Sequence, residues 1–290
     1  MSQGRQLAGL ALAIFAVAVF ATSDTLSQVV LHAGAPLLAV VFIRFAVQAV
    51  ATSLLAVPLR GRAMFQTEQR GLQILRGMTL VMGTSCLFAS LRLMTVGEMT
   101  AIMMLTPMAV TAIAGLLFKE VVPPLRWLLL VGGFAGTLVI LRPGTDDFRW
   151  VMLLPLGQVV FNTVFQLLTS RLSRTEHPVT TNLYTSLTCT VLTLPALVLA
   201  DMSHLPGWVW GLTVGLGLSA TLGHMLWVMA FQRVSATQVM PFTYSQIAFA
   251  VLAGWVVTGA VPDRWATVGM VAIALCGIGS ALLTLYQQRR

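Results

Sequence analysis

Asp24 and Arg44 are charged side chains set in apolar runs, ten residues either side of Gly34. A charge in hydrocarbon costs roughly 2.5–3.5 kcal/mol on insertion scales, so each needs a partner or a purpose. At 1.5 Å per helical residue, both lie about 15 Å from the turn on adjacent antiparallel helices. That placement predicts an ion pair. Two readings stay open: the pair fixes the hairpin, or it belongs to a transport cycle. In the second, Arg44 also meets an anionic solute group, or Asp24 takes a proton once the pair breaks.

Gln28 follows Asp24 by one turn on the same helix face, and Asn162 and Gln166 repeat that spacing. These four groups predict either a polar lining from both halves of the chain or interhelical hydrogen bonds. His224 precedes Trp227 by about one turn, and Tyr244 lies beside Gln246. The imidazole could titrate or bind a ligand, or rest buried against a backbone carbonyl. Trp227 and Tyr244 could form an aromatic wall for a flat solute. Pro107 and Pro241 should kink their helices and free carbonyls, and Met103 and Met104 before Pro107 offer an adaptable apolar lining, or plain packing.

The elements carrying these residues are apolar helices. Only 9% of the 290 residues are charged and 57% are apolar, against roughly 25% charged in soluble domains. Runs of bilayer-spanning length, about 20 residues, fall near 7–31, 37–57, 72–92, 98–118, 125–141, 150–169, 179–200, 208–231, 237–258 and 265–286. The expectation is an all-α polytopic membrane protein with ten transmembrane helices. Residues 1–20 imitate a signal peptide, but the apolar run continues to about Val30, so an uncleaved first helix is expected.

The net charge of +8 is a matter of topology and does not point to nucleic acid. With both termini in the cytoplasm, twelve arginines and lysines fall on that side and four on the other, a positive-inside bias. The expected location is the cytoplasmic membrane, or the inner membrane of a Gram-negative cell.

The chain also repeats itself. Ala35-Pro36 and His177-Pro178 each open a helix. Asp24 precedes Asn162, and Val122-Pro123 precedes Val261-Pro262, by nearly the same offset, close to half the chain. Five helices per unit is odd, so the second unit enters from the opposite face. We expect two inverted five-helix repeats, residues 1–146 and 147–290, forming one membrane domain. Gly132-xxx-Gly136 and Gly277-xxx-Ala281 should pack helices, within the subunit or across a homodimer.

These features together resemble the ten-helix EamA-type branch of the drug/metabolite transporter superfamily. The resemblance rests on Asp24 late in helix 1, Arg44 in helix 2 and Leu75-Arg76-Gly77 opening helix 3. Lys119-Glu120 closing helix 4 and Arg142-Pro143-Gly144 ending the first half complete it. Many relatives carry a lysine where this chain has Gln28. The resemblance implies small organic substrates such as amino acids, S-adenosylmethionine-like cofactors, riboflavin or toxic metabolites.

Among chemistries, a phosphate loop ending in Gly-Lys-Ser/Thr is missing and Lys119 is the lone lysine. ATP hydrolysis and a lysine-bound cofactor are not expected. Nor is a zinc motif present, so no metal or other cofactor is expected. The leading expectation is a secondary transporter working by alternating access, not an enzyme. The alternative is an intramembrane enzyme or scaffold on the same helices. The partners expected are a small solute and the lipid bilayer.

Overall fold

In the computed structural model, residues 3–93, 99, 102–118, 122–141, 153–196, 205–258 and 264–288 are described. Lys119-Glu120, Arg142-Pro143-Gly144 and Val261-Pro262 lie outside them. Among the described residues the chain is helical throughout, with no strand. The helices are α1 (Gln3–His32), α2 (Leu37–Arg60), α3 (Arg70–Leu93), α4 (Leu105–Leu117) and α5 (Pro124–Leu141). They continue as α6 (Leu153–Leu172), α7 (Pro178–Thr193) and α8 (Gly207–Phe231). The ninth, α9, comes in three pieces: Ala236–Val239, a 3-10 turn Met240–Tyr244, and Ser245–Thr258. The last is α10 (Arg264–Gln288).

Local chemistry sets these boundaries. Gly34 takes φ +90° between α1 and α2, a left-handed conformation that disfavours any Cβ. Pro36 sits at the N-cap of α2. Pro178 opens α7, where a missing N–H costs nothing, and His177 Nδ1 accepts from the Val179 amide at 3.3 Å.

Six spans are long and apolar enough to cross a membrane, and three shorter apolar helices accompany them among the described residues. Helix α7 falls in neither group. Its Thr180, Thr181, Asn182, Thr185 and Ser186 are fully buried, so its polar face turns into the bundle. The outside is apolar: Leu116 is 81% exposed and Val256 79%. Such a surface needs lipid around it.

The packing is paired. Helix α1 lies on α8 as α3 lies on α6, α2 contacts α8 as α7 contacts α3, and α2 meets α7 and α5 meets α10. Close approaches recur with it. A Cβ on Gly77 would meet Thr188 of α7 at 2.6 Å, and one on Gly217, its counterpart in the second half, would meet Val47 of α2 at 2.5 Å. Gly83 lets Gln158 approach α3 and Gly223 lets Phe20 approach α8, each at 2.5 Å from the missing Cβ. On α5, Gly132 faces Cys276 and Gly136 faces Gly269 and Ile273, so these glycines pack α5 on α10 within the subunit.

Candidate functional site

Both helix breaks open on the same place. Residues 102–103 are helical and Met104 is a turn before α4 begins at Leu105. Pro107 cannot donate to the carbonyl four residues back, and its ring crowds it. Pro241 does the same within the 3-10 turn of α9. The two prolines are not equivalent in sequence, yet the repeat offset carries Met104 onto Thr243, inside the second break. Tyr244 Oη donates to the Met104 carbonyl at 3.3 Å, so one broken helix satisfies the other. The expected kinks are therefore full interruptions.

Between the breaks and helices α1, α2, α3, α6 and α8 lies a cavity of about 100 Å³. That is room for a few waters, at about 30 Å³ each in the liquid. Seven of the nine residues singled out by sequence line it: Asp24, Arg44, Met104, Asn162, Gln166, His224 and Trp227. Gln28 and Tyr244 do not. Tyr244 is buried, its ring 2.8–3.1 Å from where a Cβ on Gly133 would stand. It props the broken helices instead of facing a solute. Gln28 is half-buried beyond the cavity.

Asp24 and Arg44 interact electrostatically as neighbours on the cavity, but the direct contact of the expected ion pair is not made. The Asp24 carboxylate accepts from Gln246 Nε2 of α9 at 3.1 Å. The Arg44 guanidinium lies 5.6 Å from the Phe88 ring centroid and 5.7 Å from that of Phe45, a cation–π arrangement. Its buried Nε has no acceptor. Equal depth on neighbouring helices put both groups on one cavity, but α9 and the α3 aromatic each claimed one of them.

Other lining residues likewise carry polar atoms without a partner. Both ring nitrogens of His224 lack a protein partner, so His224 is not satisfied by a backbone carbonyl; Oε1 of Gln158 is unpaired too, but it lies against Gly83 of α3. Buried polar groups normally find partners; a cluster of free ones marks a place where something else bonds. Phe20 and Phe165 flank His224 at 5.1 and 5.6 Å between centroids. Trp227 Nε1 donates to Gln166 Oε1, which fixes the indole at the cavity edge. Neither Phe20, Gln158, Phe165 nor Thr84 stood out in sequence. The signal was the repeat offset itself, which carries Phe20 onto Gln158, Thr84 onto His224 and Pro107 onto Gln246, all lining the cavity. No cluster of metal-ligating side chains occurs among the described residues.

A sequence profile of the EamA-like transporter family matches residues 7–142 and matches again over 149–285. The chain belongs to the EamA-like transporter family. Like the multi-pass bacterial transporters in this EamA-like group, it is a protein of the cell membrane. Its relatives include the riboflavin transporter of Vibrio cholerae, 31% identical over 92% of this chain and 88% of the relative. The riboflavin transporter of Rhizobium johnstonii is 25% identical over 73% and 70%. The S-adenosylmethionine uptake transporter of Rickettsia felis is 24% identical over 79% and 76%. Among solved structures, one crystal structure of a protein at 19% identity superposes with a TM-score of 0.78 over 98% of both chains. It shares the EamA-like chain's fold.

Proposed function

We propose that this protein is a secondary transporter that carries a neutral, planar heteroaromatic solute of the riboflavin type by alternating access. The observation that carries the reading is the cavity: unpaired polar groups on Arg44 and His224 set among Phe20, Phe165 and Trp227. Aromatic rings stack on a flat solute, and a guanidinium fork bonds paired carbonyl acceptors along its edge. Met104, Gln166 and the Asn162 amide complete the wall.

Charge separates the two substrate names found among relatives. Arg44 lines the cavity and Arg76 stands 4.3 Å over the Phe165 ring behind its wall. Against these two guanidiniums stands one carboxylate, Asp24. S-adenosylmethionine is a sulfonium cation and would enter a field of its own sign; riboflavin carries no charge to oppose it.

The frame proposed is ten membrane-crossing helices in two inverted repeats, 1–146 and 147–290, with both termini in the cytoplasm. The exchanged packing partners and the close-approach glycines recurring in both halves support the repeat, and the charge bias supports the orientation. Rocking of one repeat on the other would expose the cavity to each face in turn. Free energy would come from the solute or ion gradient, since the chain holds no phosphate loop. Purified protein in liposomes without ATP should move riboflavin down its gradient; liposomes no leakier to riboflavin than protein-free ones would overturn the proposal.

A further inference from the structure

One buried surface centres on an arginine where its counterpart centres on a leucine. On α3, Arg76 is fully buried. Its Nε donates to Thr169 Oγ1 of α6 at 2.7 Å, and its Nη1 faces the Thr181 carbonyl and Thr185 Oγ1 of α7. One turn earlier, Gln73 Nε2 donates to Thr181 Oγ1 at 3.3 Å. Arg76 Nη2 and Gln73 Oε1 have no partner, and no carboxylate pairs with Arg76 among the described residues. This seam joins two cavities. At its inner end Phe165, under the Arg76 guanidinium, lines the central cavity. At its outer end, where Arg60 Nη1 donates to Thr180 Oγ1 at 3.1 Å, a cleft of about 630 Å³ opens among Arg60, Glu68, Arg70, Arg174 and Glu176, with one more arginine than glutamate.

The equivalent surface across the repeat is the one between α8 and α2. There Leu216, the counterpart of Arg76 at the repeat offset, lies fully buried in an apolar cluster with Val40, Val41 and Val209. Thr213, the counterpart of Gln73, is buried there but bonds the Val209 carbonyl of its own helix, so parting that surface exposes mainly hydrocarbon, which costs about 25 cal/mol for each Å². Parting the Arg76 seam lets water reach groups that the closed form leaves unpaired. The polar seam is also the one that ends in the basic cleft.

We infer that the seam between α3 and α6–α7, centred on Arg76, is the gate and solute path between the central cavity and the basic face, closed in this structure. Once it parts, Arg76 presents its donors to a solute leaving or entering through the cleft, as a second station for the acceptor edge that Arg44 holds in the centre. The inference rests on the transporter reading of the central cavity, but its test needs no substrate.

In a background with Cys86, Cys189 and Cys276 replaced by alanine, Thr181→Cys and, separately, Thr185→Cys report on the seam. A membrane-impermeant maleimide is applied to inside-out and right-side-out vesicles. Both variants should be alkylated from the face carrying Arg60, Arg70 and Arg174 and spared from the other, and adding Arg76→Gln should raise the rate several-fold. A Leu216→Cys control should not react from the basic face. If both seam cysteines react only after denaturation, whether or not the vesicles move riboflavin, the seam is static core and the gate assignment is wrong. If they react from the basic face while riboflavin is not moved, the gate stands and the substrate assignment falls.

Discussion

Arg44 carries the account at the scale of single residues. Its guanidinium lies in the cavity wall with ring faces near it and no acceptor for its Nε; in the proposed transport reading a solute acceptor bonds the guanidinium. A charge-assisted hydrogen bond contributes about 1.5–3 kcal/mol, roughly a 10- to 100-fold change in affinity. Arg44→Gln should therefore weaken riboflavin binding by about that factor, with Arg44→Lys in between, as read by tryptophan fluorescence of protein that still purifies as a single species. Equal affinity in all three would remove Arg44 from the site. His177, outside the spans, gives a pH dependence. Partial burial first, and the nearby Arg60 second, push its titration below the usual imidazole range. The neutral ring is the form that accepts from Val179. Its contribution is complete above the unfolded value near 6.5 and is lost as pH falls through the lower folded one. Melting temperature should fall more between about pH 7.5 and 5.5 in the native protein than in His177→Asn, which keeps an uncharged cap. Asp24, Arg44 and His224 were legible in the sequence because a polar side chain in an apolar run is conspicuous. Phe20 and Phe165 were not, since a phenylalanine facing a cavity looks the same in sequence as one facing lipid.

Among the elements, the paired breaks in α4 and α9 position everything else. Tyr244 holds them together through the Met104 carbonyl and packs its ring on Gly133 of α5. Tyr244→Phe should lose about 0.5–1.5 kcal/mol of stability, the worth of one hydrogen bond. Gly133→Ala forces the ring aside, and overpacking of this kind costs about 1–3 kcal/mol. Because a ring pushed aside by Gly133→Ala also draws its hydroxyl off the Met104 carbonyl, the double variant should be less destabilised than the sum of the singles; thermal melts in detergent measure this, and strict additivity would show that the two contacts are independent. The helices themselves were plain in sequence, since lipid demands long apolar runs and Pro107 and Pro241 announce interruptions. The role of Tyr244 was hidden because it depends on which helix faces the break, and that is a tertiary fact. The polar face of α7 was also blurred. Threonines scattered through an apolar run do not reveal that they converge on Arg76 and Gln73.

For the whole molecule, the frame is close to symmetric and the chemistry is not. Glycines that admit close approach recur at matched positions of the two halves, yet around the cavity Phe20 faces Gln158, Asp24 faces Asn162 and Thr84 faces His224. A two-fold frame allows one cavity to be exposed to either face, while the unlike pairs let it hold an unsymmetrical solute in one orientation. In the proposed reading, the surplus positive charge around that cavity is the feature that selects among solutes. The central claim is thus a transporter for a neutral flat heteroaromatic, and the direct measurement is riboflavin flux in ATP-free proteoliposomes with excess S-adenosylmethionine as competitor. The account predicts saturable riboflavin entry that S-adenosylmethionine leaves unchanged. Saturable uptake of S-adenosylmethionine with riboflavin left outside would contradict it.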